Sequence, residues 1–138
     1  MKYSWSYLKN NIRNGKWIND ELKRDPIIQR KYEDHMKYVD KHYLTREDYI
    51  KIKYLNFDKR YADKWFALNT FNSLDYKLTE NAFPYNVDRV RHQVLWSIDE
   101  LTKEQIEFIV GKNAVWFINN PKSRTIRNLW HAQIFYIC

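Results

Sequence analysis

Four histidines, one basic loop and a set of tryptophans are the residues of this 138-residue chain whose types and spacing could do chemistry. His92 and His131 each stand near the start of a predicted strand in the C-terminal half, with Arg91, Arg127 and Gln133 close by in sequence. Strand pairing brings such positions together. An imidazole beside a guanidinium can hold an anion or serve as general acid or base. The same pattern also fits two buried histidines, each satisfied by a backbone carbonyl. His35 and His42 lie seven apart on a predicted helix. Two turns separate them by about 10 Å, too far to chelate one metal, so exposed or structural roles suit them.

The second candidate is the segment Lys122, Ser123, Arg124, Thr125 and Arg127, flanked by Trp116, Phe117 and Trp130. Basic groups interleaved with aromatics suit phosphate contact combined with ring stacking. A solvated connection between two strands whose aromatics face inward has the same appearance. Acidic pairs such as Glu33-Asp34 and Glu47-Asp48 sit among lysines on predicted helices and read as solvated faces.

Several chemistries are excluded or unsupported. The single cysteine, Cys138, is the last residue, which rules out an intrachain disulfide and a cysteine-based zinc site. No His-Glu-x-x-His motif supports a zinc protease, and no Gly-x-Ser-x-Gly elbow activates Ser97 or Ser123. With only Gly15 and Gly111, neither a Rossmann fingerprint nor a Walker loop can be built. No cofactor or metal is expected. Met1–Tyr7 is polar and aromatic, unlike a signal peptide, and the apolar runs fall far short of a membrane span. The expectation is a soluble, intracellular, cytoplasmic protein without a membrane partner.

Hydrophobic residues make up 44% and charged residues 30%, a globular balance for one domain over residues 1–138. Lys and Arg outnumber Asp and Glu by 24 to 17, giving a net charge of +7 that suits a phosphate-bearing partner. The abundance of Lys, Asn, Ile and Tyr is equally the signature of AT-rich coding.

The elements that would position these residues fall into two halves joined by a connection. Over residues 1–55 the pattern is helical. Ser4 caps a helix with Trp5, Leu8 and Ile12 on one stripe, and Asn14-Gly15 stops it. A short helix is expected over Trp17–Lys23. Asp25-Pro26 starts a longer helix with Ile28, Tyr32, Met36, Val39 and Tyr43 on one face. Thr45 with Asp48 opens a third. Residues 56–80 fit no single period and read as a long connection with a short helix or irregular strand. Over residues 81–138 an ordered loop around Pro84 precedes an alternating strand, Val90–Ser97. A helix over Leu101–Val110 ends at Gly111, and two aromatic-rich strands follow, Ala114–Ile118 and Trp130–Ile137. The fold class is α+β, a helical N-terminal half packed on a small C-terminal sheet with a helical crossover.

The order of these motifs resembles a fungal and viral family labelled N-acetylglucosamine-induced protein. The matching residues are the Trp5–Ile12 stretch, Leu22-Lys23-Arg24, the Pro26–Lys41 helix, Pro84-Tyr85 and His92-Gln93-Val94-Leu95-Trp96. Val115-Trp116-Phe117 with Asn119, and Thr125-Ile126-Arg127 with Leu129 and His131, complete the match. The resemblance leaves about 56–78 uncovered. The family's last strand often carries His-x-His, where this chain has His131-Ala132-Gln133, which weakens a metal-hydrolase reading. The lysine- and asparagine-rich composition is similar to that of giant-virus proteins.

With no nucleophile, metal cluster or phosphate loop, the residues favour binding over catalysis. The leading expectation is a module that recognises a phosphate-containing ligand, RNA or a nucleotide such as an mRNA cap. Its candidate contacts are Tyr85, Trp96, Trp116, Asn119, Lys122, Arg124, Arg127 and Trp130. The alternatives are a small enzyme acting on a phosphorylated or nucleotide-sugar substrate, with His92, His131 and Arg127 in the active site, and an adaptor that docks a protein partner.

Overall fold

The computed structural model describes residues 2–18, 22–119 and 125–137. The chain begins with α1 (Trp5–Asn10), capped by the Ser4 hydroxyl, which accepts the Tyr7 N–H at 3.0 Å. A hairpin of β1 (Ile12–Arg13) and β2 (Lys16–Trp17) follows. Next come α2 (Pro26–His42) and α3 (Arg46–Tyr54), then a second hairpin, β3 (Asp58–Ala62) with β4 (Lys64–Leu68). The remainder builds β5 (Tyr76–Glu80), β6 (Val90–Ser97), α4 (Lys103–Val110), β7 (Val115–Phe117) and β8 (Trp130–Ile137). The fold is α+β, as the sequence indicates.

The last four strands form one sheet in the order β5-β6-β8-β7, each neighbour antiparallel to the next. β6 and β7 therefore run parallel, joined through α4, with β8 inserted between them. This is a split β-α-β unit. Because side chains alternate along a strand, the sheet has two distinct faces. One carries His92, Val94 and Trp96 from β6 and His131, Gln133 and Phe135 from β8, with Trp96 opposite His131 and Val94 opposite Gln133. The N-terminal half packs on this face. Met36, Ile50 and Leu55 join Val94, Trp96, Ile126 and Leu129 in one cluster, and Leu8, Leu22 and Val87 join Phe117 and Phe135 in another. The opposite face buries Leu95, Ala132 and Ile134 under Ile106 and Val110 of α4. Each such aliphatic or aromatic side chain stabilises the fold by about 1.5–3 kcal/mol when fully buried.

Two expectations are corrected. The helix expected over Trp17–Lys23 is not formed, since Trp17 lies in β2 and Leu22–Asp25 is irregular; residues 19–21 lie outside the described ones. Asn14 and Gly15 both take positive φ, 53° and 73°, the geometry of a two-residue hairpin turn. Asn-Gly thus turns the chain back into a strand instead of merely ending a helix. The long connection over 56–80 is instead the β3–β4 hairpin followed by β5. Every residue of β3 is exposed, so it carries no alternation to read. The hairpin is pinned from outside. The Asp48 carboxylate accepts the Ala67 N–H at 2.8 Å, and the Leu44 N–H reaches the Trp65 carbonyl at 2.8 Å.

Candidate functional site

The helix-covered face of the sheet does not close completely. A cavity of about 110 Å³ lies between α2, α3 and the sheet. Its walls are aromatic, with Tyr32, Tyr49, Tyr54, Phe83, Tyr85 and Trp96 around it. Tyr54 and Trp96 lie parallel, 6.0 Å between centroids. The Trp96 indole N–H donates to the Thr79 hydroxyl at 3.0 Å, which fixes the ring against β5.

Arg24 enters from the segment that leads into α2. Its guanidinium carbon sits 4.0 Å from the Tyr32 ring centre and 4.9 Å from that of Tyr85. Nε donates to the Phe83 carbonyl at 2.7 Å, and Nη1 to the Gln29 side-chain oxygen at 3.3 Å. The remaining guanidinium N–H groups have no partner among the described residues. Planar stacking between rings and a fixed Nε bond hold the fork in one orientation. Glu80 also lines the cavity, but its carboxylate is engaged by Arg91 at 2.5 Å and by the Gln93 amide at 2.8 Å. Those bonds hold it below the usual carboxylate range, the Arg91 hydrogen bond first. Arg24 is therefore the one permanent charge in the lining that is not matched by a counter-charge among the described residues.

The cavity floor is polar. His92 is 5% exposed and its rings neighbour Tyr85 and Phe135 in a continuous stack. Nδ1 accepts the Tyr85 backbone N–H at 3.2 Å, so in the neutral ring the proton is on Nε2. Nε2–H then donates to the Gln133 side-chain oxygen at 2.6 Å. Burial is the main cause that drives the His92 pKa down to about 3, and the Arg24 charge adds to it against the raising effect of Gln133. His92 is thus a neutral positioning group at ordinary pH, with both nitrogens committed. It fixes Gln133 with the oxygen toward His92 and hence the amide NH2 turned the other way. His131 donates from Nδ1 to the Leu129 carbonyl at 3.0 Å, which leaves its Nε2 as the acceptor nitrogen of the neutral ring. Its ring tilts against Trp96, 5.0 Å between centroids. Asn119 donates to the Tyr85 hydroxyl at 3.4 Å. Over the cavity, Thr125 is held by the Tyr32 hydroxyl through its side chain and by Arg46 through its carbonyl at 3.0 Å.

Of the candidate contacts, Tyr85, Trp96 and Asn119 line the cavity, together with His131. His92 supports it from behind through Tyr85 and Gln133. Trp116 and Trp130 pack on the opposite face with α4, so they share no surface with Trp96. Arg127 is exposed and does not line the cavity. Lys122 and Arg124 lie outside the described residues. His35 lines the cavity edge-on to Tyr49, 5.2 Å between centroids, and burial lowers its pKa. His42 is exposed. Among the described residues no three His, Cys, Asp or Glu side chains come together to hold a metal, and no helix is long and apolar enough to cross a membrane.

Sequence reasoning missed Arg24, Tyr32 and Tyr54 as site residues. Arg24 comes before the Asp25-Pro26 helix start, a position with no periodic signal; only its place in a shared motif marked it.

No curated protein matches the chain. A solved structure described as "Crystal Structure of HTC1" shares the fold, with a TM-score of 0.66 over 99% of this chain and 85% of that one, at 22% identity. The chain belongs to the family described as "Protein of unknown function (DUF3605)", whose model matches residues 4–108.

Proposed function

We propose that this member of the DUF3605 family is a binding module for a small phosphate-bearing ligand, a nucleotide in the first instance, taken into the cavity beside Arg24. One observation carries the reading: a half-buried guanidinium, fixed between two tyrosine rings, keeps N–H groups with no partner among the described residues beside an aromatic cavity with a polar floor. Such a fork suits a phosphate oxygen, and a planar guanidinium is the side chain best shaped for it. A cavity of about 110 Å³ compares with an engineered one of about 150 Å³ that takes benzene. Being smaller, it would take a base or sugar ring only in part, through its open side, while the phosphate stays at Arg24. Trp96 and Tyr54 offer the ring a wall, and the Gln133 amide offers its edge a hydrogen-bonding group.

Longer RNA is the second form such a ligand could take. Thr125 and Ile126 line the cavity, and the basic segment that holds Lys122 and Arg124 immediately precedes them in sequence. The N-acetylglucosamine-induced label, a fungal or giant-virus source and a cytoplasmic setting go with this reading on motif resemblance and composition alone.

A thermal-shift panel of cap analogues, nucleoside monophosphates, sugar nucleotides and short RNAs tests the proposal. A ligand at 100 times its Kd adds about 2.7 kcal/mol, and each kcal/mol raises the midpoint by about 2–8 °C. A shift with a mononucleotide that the unphosphorylated nucleoside does not match supports it. No shift with any phosphorylated compound overturns it.

A further inference from the structure

A groove of about 530 Å³ lies on the side of the sheet covered by α4, away from the cavity just described. Its lining combines four carboxylates, Asp75, Asp99, Glu100 and Glu104, with Tyr76 and Phe108. Among the described residues no Lys or Arg lines it, although the chain carries a net charge of +7. None of the four carboxylates makes an ion pair or side-chain hydrogen bond among the described residues. The helix beside them does not need so many. The N-terminal amides of α4 are already capped by a reciprocal pair, the Thr102 hydroxyl accepting the Gln105 N–H at 3.2 Å and the Gln105 side chain accepting the Thr102 N–H at 2.8 Å. Asp75 comes from a different part of the chain, just ahead of β5.

Two further observations point to an occupant. Ser97 forms part of the groove at 2% exposure, yet its hydroxyl has no hydrogen-bond partner among the described residues. No buried side-chain polar atom among the described residues lacks a partner, so this hydroxyl is open to the groove, where a donor supplied by an occupant can reach it. Phe108, on α4, is 89% exposed beside it. A whole phenyl ring in water next to a carboxylate rim is the arrangement of an apolar anchor with a charged surround.

We propose that this groove docks a basic peptide segment of a protein partner. A Lys or Arg side chain enters among the carboxylates and donates to the Ser97 hydroxyl, while a neighbouring aliphatic side chain lies on Phe108. The chemistry is charge complementarity: a cationic segment removes the mutual repulsion of four unpaired carboxylates, and the aliphatic contact removes Phe108 from water. A nucleic acid is disfavoured here by the same charges.

Fluorescence anisotropy with the labelled peptide Lys-Arg-Leu-Lys-Arg tests this on the full chain. The expected result is binding that weakens as salt rises, weakens about tenfold in the double variant Glu100→Gln with Glu104→Gln, and weakens in Phe108→Ser. Both variants change exposed side chains, and matched unfolding midpoints confirm that they fold. Arg24→Gln leaves peptide binding unchanged, which separates this groove from the nucleotide cavity. No anisotropy change up to about 1 mM protein overturns the proposal, as does equal affinity in the variants. A dimer in sedimentation that Phe108→Ser abolishes also overturns it, because the occupant is then a second copy of the chain.

Discussion

Lowering the pH from 7 to 4.5 reads out how His92 is held. In the folded protein its pKa lies at about 3, against 6.5 for an imidazole in water, chiefly through burial. The unfolded chain therefore takes up a proton on this residue over a range in which the folded protein does not. Stability from this group is fully present above about pH 6.5 and is lost as pH falls toward the folded value, at about 1.4 kcal/mol per pH unit. Between pH 7 and pH 4.5 the loss amounts to about 2–3 kcal/mol. The assay is urea unfolding of the parent and of His92→Gln across that range, followed by tryptophan fluorescence. Glutamine can accept the Tyr85 N–H or donate to Gln133 but does not titrate. Asp40 and Glu80, whose hydrogen-bonded carboxyls are also held low, are present in both proteins and cancel. The parent should lose about 2–3 kcal/mol more than the variant. Parallel profiles for the two proteins would refute the buried, neutral His92 and with it the fixed orientation of Gln133.

Other substitutions probe other parts of the structure. Gly15→Ala should destabilise by about 1–3 kcal/mol in chemical denaturation, because φ is 73° there and the new Cβ would meet the Trp116 ring at 2.5 Å; neutrality would show that the β1–β2 turn is placed differently. Asp48→Ala removes both its bond to Thr45 and the acceptor for the Ala67 N–H, and should cost about 1–3 kcal/mol by urea unfolding. An unchanged midpoint would detach β4 from α3. Trp96→Ala should lower stability by about 3–5 kcal/mol, since the ring is 7% exposed and lies between the Tyr54 and His131 rings; a small cost would mean that the cavity wall is soft.

The C-terminal half is legible in the sequence because β6 sets Val90, His92, Val94 and Trp96 on one face, β8 is rich in aromatic and β-branched residues, and its helix carries local signals at both ends. Thr102 with Gln105 and Gly111 mark α4, and Val90–Ser97 and Trp130–Ile137 are strands over the residues expected. The β3–β4 hairpin is illegible because β3 is exposed throughout and β4 is half-buried without alternation; what holds it comes from α2 and α3. Asn14-Gly15 reads as a helix stop in the sequence, and the pairing of Ile12 with Trp17 makes it a hairpin turn instead. The site follows the same division. Trp96, Tyr85, Asn119 and His131 come from recognisable strands or their flanks, whereas Arg24 comes from irregular chain whose position depends on Phe83, Tyr32 and Tyr85, all more than seven residues away. The tryptophans were separated only by sheet register: Trp96 shares a face with His131, and Trp130 stands on the other.

Isothermal titration of a nucleoside monophosphate into the parent and into Arg24→Gln tests the nucleotide reading most directly. Arg24 is half-buried and makes two hydrogen bonds among the described residues, so the variant should keep its fold, as its unfolding midpoint will report. Losing a charge-assisted contact to phosphate should weaken binding by at least tenfold, the equivalent of about 1.4 kcal/mol or more. The unphosphorylated nucleoside should bind the two proteins alike. Equal affinity of the nucleotide for parent and variant, or no heat with either, would contradict the account.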